Sequence, residues 1–113
     1  MNQTADKERE VISRNDTFTK PDRHSDFNDV FTKRIMNIKG VKHAWLAEKR
    51  TRFSPEAKTY VLVYEKGFFD KEEKLTNLVV SQLKTNNTCF VIQKEGGHAA
   101  IAKEVIKKGV ALF

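Results

Sequence analysis

The run Thr59-Tyr60-Val61-Leu62-Val63-Tyr64-Glu65 limits the fold more than any other stretch of the chain. Its β-branched and aromatic residues favour an extended backbone. Its uninterrupted apolar centre puts bulky groups on both faces of a strand, because successive side chains point in opposite directions. Such a strand belongs in the middle of a sheet with cover above and below. A chain of 113 residues, 39% apolar with eight Phe, is long enough to supply that cover from one core.

The neighbouring segments fall into place around this run. Ser25 reads as an N-cap with Asp26 in the first turn, and Phe27, Val30, Phe31, Ile35 and Ile38 recur at helical spacing until Lys39-Gly40. The stretch from Val41 to Arg50 alternates as a strand, with Val41, His43, Trp45 and Ala47 on one face and Lys42, Ala44, Leu46 and Glu48 on the other. A polar loop containing Ser54-Pro55 makes these two strands an antiparallel hairpin. Asp70-Lys71-Glu72-Glu73 has the spacing of a capping box, and Leu75, Leu78, Val79 and Leu83 continue a second helix. A third strand, Thr88 to Gln93, leads through Gly96-Gly97 into a helix carrying Ala99, Ile101, Ala102, Val105 and Ile106, which Gly109 stops. Val110-Ala111-Leu112-Phe113 reads as a last strand or an apolar plug. The expected order is α-β-β-α-β-α-(β), an α+β class with one mixed sheet of three to four strands packed against two to three helices as a ferredoxin-like α/β sandwich.

Residues 1–24 differ in kind. They lack an apolar period and hold five bases against five acids, so they read as a disordered polar arm, with 25–113 as a single α+β domain. Val11, Ile12 and Phe18 are the arm's substantial apolar groups, free to dock on the domain or on a partner. The formal charge of +6 therefore sits on the folded part. No apolar run is long enough to span a bilayer, and the N-terminus has no leader pattern, which predicts a cytoplasmic protein without a membrane partner. The single cysteine, Cys89, lies inside an apolar strand and is expected to behave as a small inert hydrophobe.

Two surface features carry chemistry. Lys49, Arg50, Arg52 and Lys58 with one ring, Phe53, form a basic hairpin tip that could meet phosphates and stack on a base. A solvated loop tip is the plainer reading, and no RNA-recognition signature accompanies it. Gly96, Gly97 and His98 open a helix directly after a strand, a weak anion site in which free backbone N–H groups and the helix dipole converge. Turn geometry explains the same residues, because neither a dinucleotide fingerprint nor a phosphate loop is present. His24, His43 and His98 share no metal-type spacing, and no nucleophile–base pair stands out, so no metal, cofactor or catalytic residue is expected. His43 reads as a partly buried strand residue, and Trp45 as a core residue beneath a helix.

The stretch Asn37-Ile38-Lys39-Gly40-Val41-Lys42-His43-Ala44-Trp45-Leu46-Ala47, followed by Tyr60-Val61-Leu62-Val63-Tyr64, a Leu-rich helix, the Val91-Ile92 strand and the ending Val110-Ala111-Leu112-Phe113, resembles the C-terminal domain of the enhanced serine sensitivity protein B family. The resemblance covers roughly residues 26 to 113. It implies the same α+β architecture and carries over no enzymatic activity, catalytic residue or cofactor. The expected function is a non-enzymatic cytoplasmic binding or regulatory module that meets a protein partner, or a second copy, through a sheet edge or face. Nucleic-acid binding through the hairpin tip is the alternative.

Overall fold

A computed structural model describes residues 17–21, 27–49, 59–67, 71–83 and 88–113. Among these residues the chain forms β1 (Phe18–Thr19), α1 (Asp29–Met36), β2 (Val41–Lys49), β3 (Thr59–Lys66), α2 (Glu72–Ser81), β4 (Thr88–Gln93), α3 (Ala99–Lys108) and β5 (Val110–Ala111). The mixed sheet and three helices place the protein in the expected α+β class. Its main path runs β1-β2-β3-β4, and β5 also pairs with β2. β2 and β3 are antiparallel, with Leu46 opposite Leu62, and β3 and β4 are parallel, with Leu62 opposite Val91.

β3 is the axis of the sheet. Every residue from Thr59 to Tyr64 is 0% exposed, because each face meets its own core. On one face, Tyr60, Leu62 and Tyr64 join Ala44 and Leu46 beneath Phe27, Phe31 and Ile35 of the α1 region and Leu75 and Val79 of α2. On the other, Val61 and Val63 join Ala47 and Ile92 beneath Ile101, Ala102 and Val105 of α3. The helices therefore divide between the two faces, as a strand apolar on both sides requires.

β2 departs from simple alternation. Val41 pairs with Lys66 and His43 with Glu65, so Lys42 is an extra residue on β2 and the register shifts there. An extra residue reverses which face later side chains occupy. Val41 accordingly sits in the core with Ala44 and Leu46 rather than with His43 and Trp45. Helix starts also differ from expectation. Asn28 caps α1, its Oδ1 accepting the Phe31 N–H at 3.1 Å, while Ser25 and Asp26 lie outside the described residues. Val30 is 55% exposed, since the buried stripe follows Phe27, Phe31 and Ile35 at intervals of four. Lys71 holds the cap position of α2 without a side-chain bond; Asp70 is outside the described residues.

Two short strands, β1 and β5, close one edge of the sheet in tandem. β5 pairs with β2 at Trp45 and Leu46, and β1 pairs with it at Glu48 and Lys49. Gly109 makes the first contact possible: a Cβ there would lie 2.3 Å from the Leu46 carbonyl oxygen and 2.9 Å from the Ala47 Cβ. Its φ of −92° is ordinary, so close approach rather than a left-handed turn requires glycine. Leu112 and Phe113 then pack against the α1/α2 core, so the C-terminus is both a strand and a plug.

β1 corrects the boundary of the arm. Phe18 is 4% exposed and belongs to the α3-side core, so the polar stretch around it contributes a strand despite having no apolar period of its own. One aromatic residue and backbone pairing hold this strand without any helix or alternation to announce it. Phe18→Ala should lower the unfolding free energy by roughly 3 kcal/mol in a urea titration. A loss below about 1 kcal/mol would place Phe18 outside the core.

Candidate functional site

β3 and β4 run parallel, so their carboxyl ends meet at one end of the sheet, the place where open α/β sheets present side chains to ligands. Tyr64 and Gln93 are opposite each other there, and the Lys94 N–H donates to the Tyr64 carbonyl at 2.8 Å, extending the pairing by one residue. This brings the Lys94 ammonium to 2.8 Å from Glu65 Oε1. His43, opposite Glu65 on β2, places Nε2 4.0 Å from the other carboxylate oxygen. The Lys94 ammonium also lies 5.7 Å from the centre of the Trp45 ring, within cation–π range. Lys94 holds the Glu65 carboxyl below the ordinary glutamate range, first by hydrogen bonding and then by charge. The same bond holds the Lys94 ammonium above its ordinary value.

The cluster is partly open to solvent, beyond the cover of α3. The buried residues of α3 cover Ala47, Val61 and Val63, leaving Trp45 half-buried at the margin and the His43 side chain 56% exposed. This corrects the expectation for His43, which is a surface residue; Trp45 packs against the α3-side core as expected, though only partly covered. Beside them lies a groove of about 370 Å³ bounded by Lys42, Glu65, Lys66, Gly67, Gln93 and Glu95. Among the described residues its lining is polar or charged apart from Gly67, unlike the apolar pockets that hold most small ligands.

The other unusual feature is the outer side of β4. Thr88-Cys89-Phe90-Val91-Ile92-Gln93 contains no charge, proline or glycine in a chain that is 32% charged. It pairs with β3 on one side, and no strand among the described residues occupies the other. Thr88 to Val91 are half-buried. Edge strands normally carry a lysine, a proline or a bulge that discourages a further strand; β4 carries none.

The basic hairpin tip does not come together as a described site. Lys49 is 4% exposed and paired in register with Thr59 and Phe18, so it is withdrawn from the surface patch. Arg50, Arg52, Phe53 and Lys58 lie outside the described residues, as does His24. Gly96, Gly97 and His98 do form the turn into α3. Gly96 has φ +103°, which explains the glycine by backbone geometry alone. His98 caps nothing with its side chain and lines a groove of about 250 Å³ with Glu72 and Glu73, whose carboxylates oppose an anion at that position. Turn geometry accounts for this segment.

Tyr64 ties the same end of the sheet to α2. Its hydroxyl donates to the Glu72 carbonyl at 2.9 Å, so the Thr76 hydroxyl, 2.6 Å away, is the donor in their second bond. Burial pushes the Cys89 thiol up to about 12, which leaves it protonated and unreactive at neutral pH. Among the described residues no group of three or more His, Cys, Asp or Glu is placed to hold a metal ion. No helix there is long and apolar enough to cross a membrane. No family model, curated protein or solved structure matches the chain.

Sequence reasoning missed the Glu65–Lys94 pair, since residues 29 apart carry no local signal. The pairing has a titration signature. A carboxyl held down by a cation is stabilising above its unfolded-state pKa, and that contribution disappears as pH falls through the lower folded value. Lys94→Met should return the Glu65 carboxyl toward the ordinary value of about 4.3 in an NMR titration. An unchanged midpoint would show that Lys94 does not govern Glu65.

Proposed function

We propose that this chain is a non-enzymatic protein-interaction module that takes an extended segment of its partner as an added strand on the outer edge of β4. The supporting observation is that β4 is uncharged and rich in strand-forming residues, with no strand on its outer side among the described residues. Main-chain hydrogen bonds supply affinity in this mode, and alternate side chains supply selectivity. β2, by contrast, has its outer edge occupied by β1 and β5. The nucleic-acid alternative loses Lys49 to burial. Two further expectations belong to the same proposal: a cytoplasmic setting, supported by a single non-nucleophilic thiol, and kinship with the enhanced serine sensitivity protein B family, supported by the strand and tail residues quoted above.

The reading is tested by selecting peptides against the immobilised chain and mapping the binders on its ¹⁵N spectrum. Selected peptides should be extended and rich in β-branched residues, and should shift the amides of residues 88–93 first. Methylating alternate backbone nitrogens of such a peptide should weaken it roughly tenfold or more, since each methyl removes a ladder hydrogen bond. Binders that shift other elements, or that ignore N-methylation, would contradict strand addition.

A further inference from the structure

Helix α2 separates its charges by face. Glu72, Glu73, Thr76 and Asn77 line the groove shared with His98, whereas Lys71, Lys74, Leu75 and Leu78 line a different one. The second set follows a spacing of three, four and seven, a single stripe along the helix. Ile38 and Lys39, in the segment after α1, form the opposite wall. The resulting groove is about 330 Å³, with a floor of Ile38, Leu75 and Leu78 and a rim of three exposed lysines.

Its chemistry is one-sided. No carboxylate is among its six lining residues that the structure describes, although the chain holds 15 Asp and Glu. Leu78 remains 39% exposed above the buried Leu75, so the floor is apolar surface open to solvent. Lys71 stands at a helix-cap position that normally favours Ser, Thr, Asp or Asn, and it makes no capping bond. A residue that breaks a local preference without a local gain points toward a role outside the fold.

We propose that this groove binds an acidic segment of a partner protein, seating one or two of its apolar side chains on Ile38, Leu75 and Leu78 while flanking carboxylates meet Lys39, Lys71 and Lys74. Charge complementarity selects an acidic occupant, and the volume, at the small end of ligand pockets, suits one or two side chains rather than a large cofactor. This surface is separate from the β4 edge, and either can exist without the other.

The test uses the full chain and a fluorescein-labelled peptide in which Asp and Glu surround a Leu-Phe pair, alongside a version with Ser in place of every acid. Fluorescence anisotropy should show salt-sensitive binding of the acidic peptide and little of the Ser version. K71E/K74E should weaken binding roughly tenfold or more, because each reversal both removes an attraction and adds a repulsion. K71Q/K74Q, which keeps apolar stems and avoids new charge, should weaken it less but measurably. The control K107E/K108E, at the end of α3 on the other side of the sheet, should change it less than about twofold. Leu78→Ser should also weaken it. The proposal is overturned if the acidic peptide does not bind, if both Glu-substituted pairs lose affinity equally, or if the Ser peptide binds as well. It is overturned too if phosphatidylserine vesicles bind through Lys71 and Lys74 while the peptide does not.

Discussion

Everything in this fold depends on removing both faces of β3 from water. Burial of apolar surface is the main favourable term in folding, and β3 presents that surface in opposite directions from consecutive residues. One layer of helices cannot satisfy it. The α1/α2 pair covers Tyr60, Leu62 and Tyr64, and α3 covers Val61 and Val63. Truncating residues in the middle of this strand opens a cavity in one core or the other, which is why the two layers cannot be treated as independent units.

The edges of the sheet are handled unequally. Two short strands, β1 and β5, close the outer side of β2, and this closure depends on Phe18 filling a core position and on Gly109 letting the backbone pass against Leu46 and Ala47. β4 receives no comparable cover among the described residues and carries no charge that discourages a further strand. At the carboxyl ends of β3 and β4, Glu65 and Lys94 neutralise each other beside a half-buried Trp45. Together these features describe a scaffold whose distinctive chemistry lies on its surfaces, in an edge and in grooves.

Much of the fold was legible in the residues themselves. The apolar run of β3 announced a central strand, and the periodic Phe31, Ile35, Leu75, Val79, Ile101 and Val105 announced the helix faces, because burial and backbone geometry both act at short range there. β1 was hidden, since two residues held by one buried phenylalanine leave no periodic trace. The face of Val41 was misread because a bulge at Lys42 depends on how β3 pairs, which no local pattern records. Site chemistry was harder still. The hairpin-tip cations looked prominent as a run, but burial removed Lys49, whereas Lys94 gained meaning from a glutamate that only parallel pairing brings near. The charge stripes of α2 were visible in principle at helical spacing, yet Ile38 and Lys39 join one of them only through tertiary packing.

β3 is sealed and, among the described residues, the outer side of β4 is open, and native-state amide hydrogen exchange measures both in one experiment. Amides of residues 60–64 should exchange only through global unfolding, at the rate set by the full stability of the domain. Amides of β4 should split: alternate residues directed toward β3 should be protected nearly as well, and those directed outward should exchange far faster. Adding a strand-forming partner should slow the outward set alone. Uniform protection along β4 in the isolated chain, equal to that of β3, would show the edge already covered and would contradict the claim that it is the docking strand.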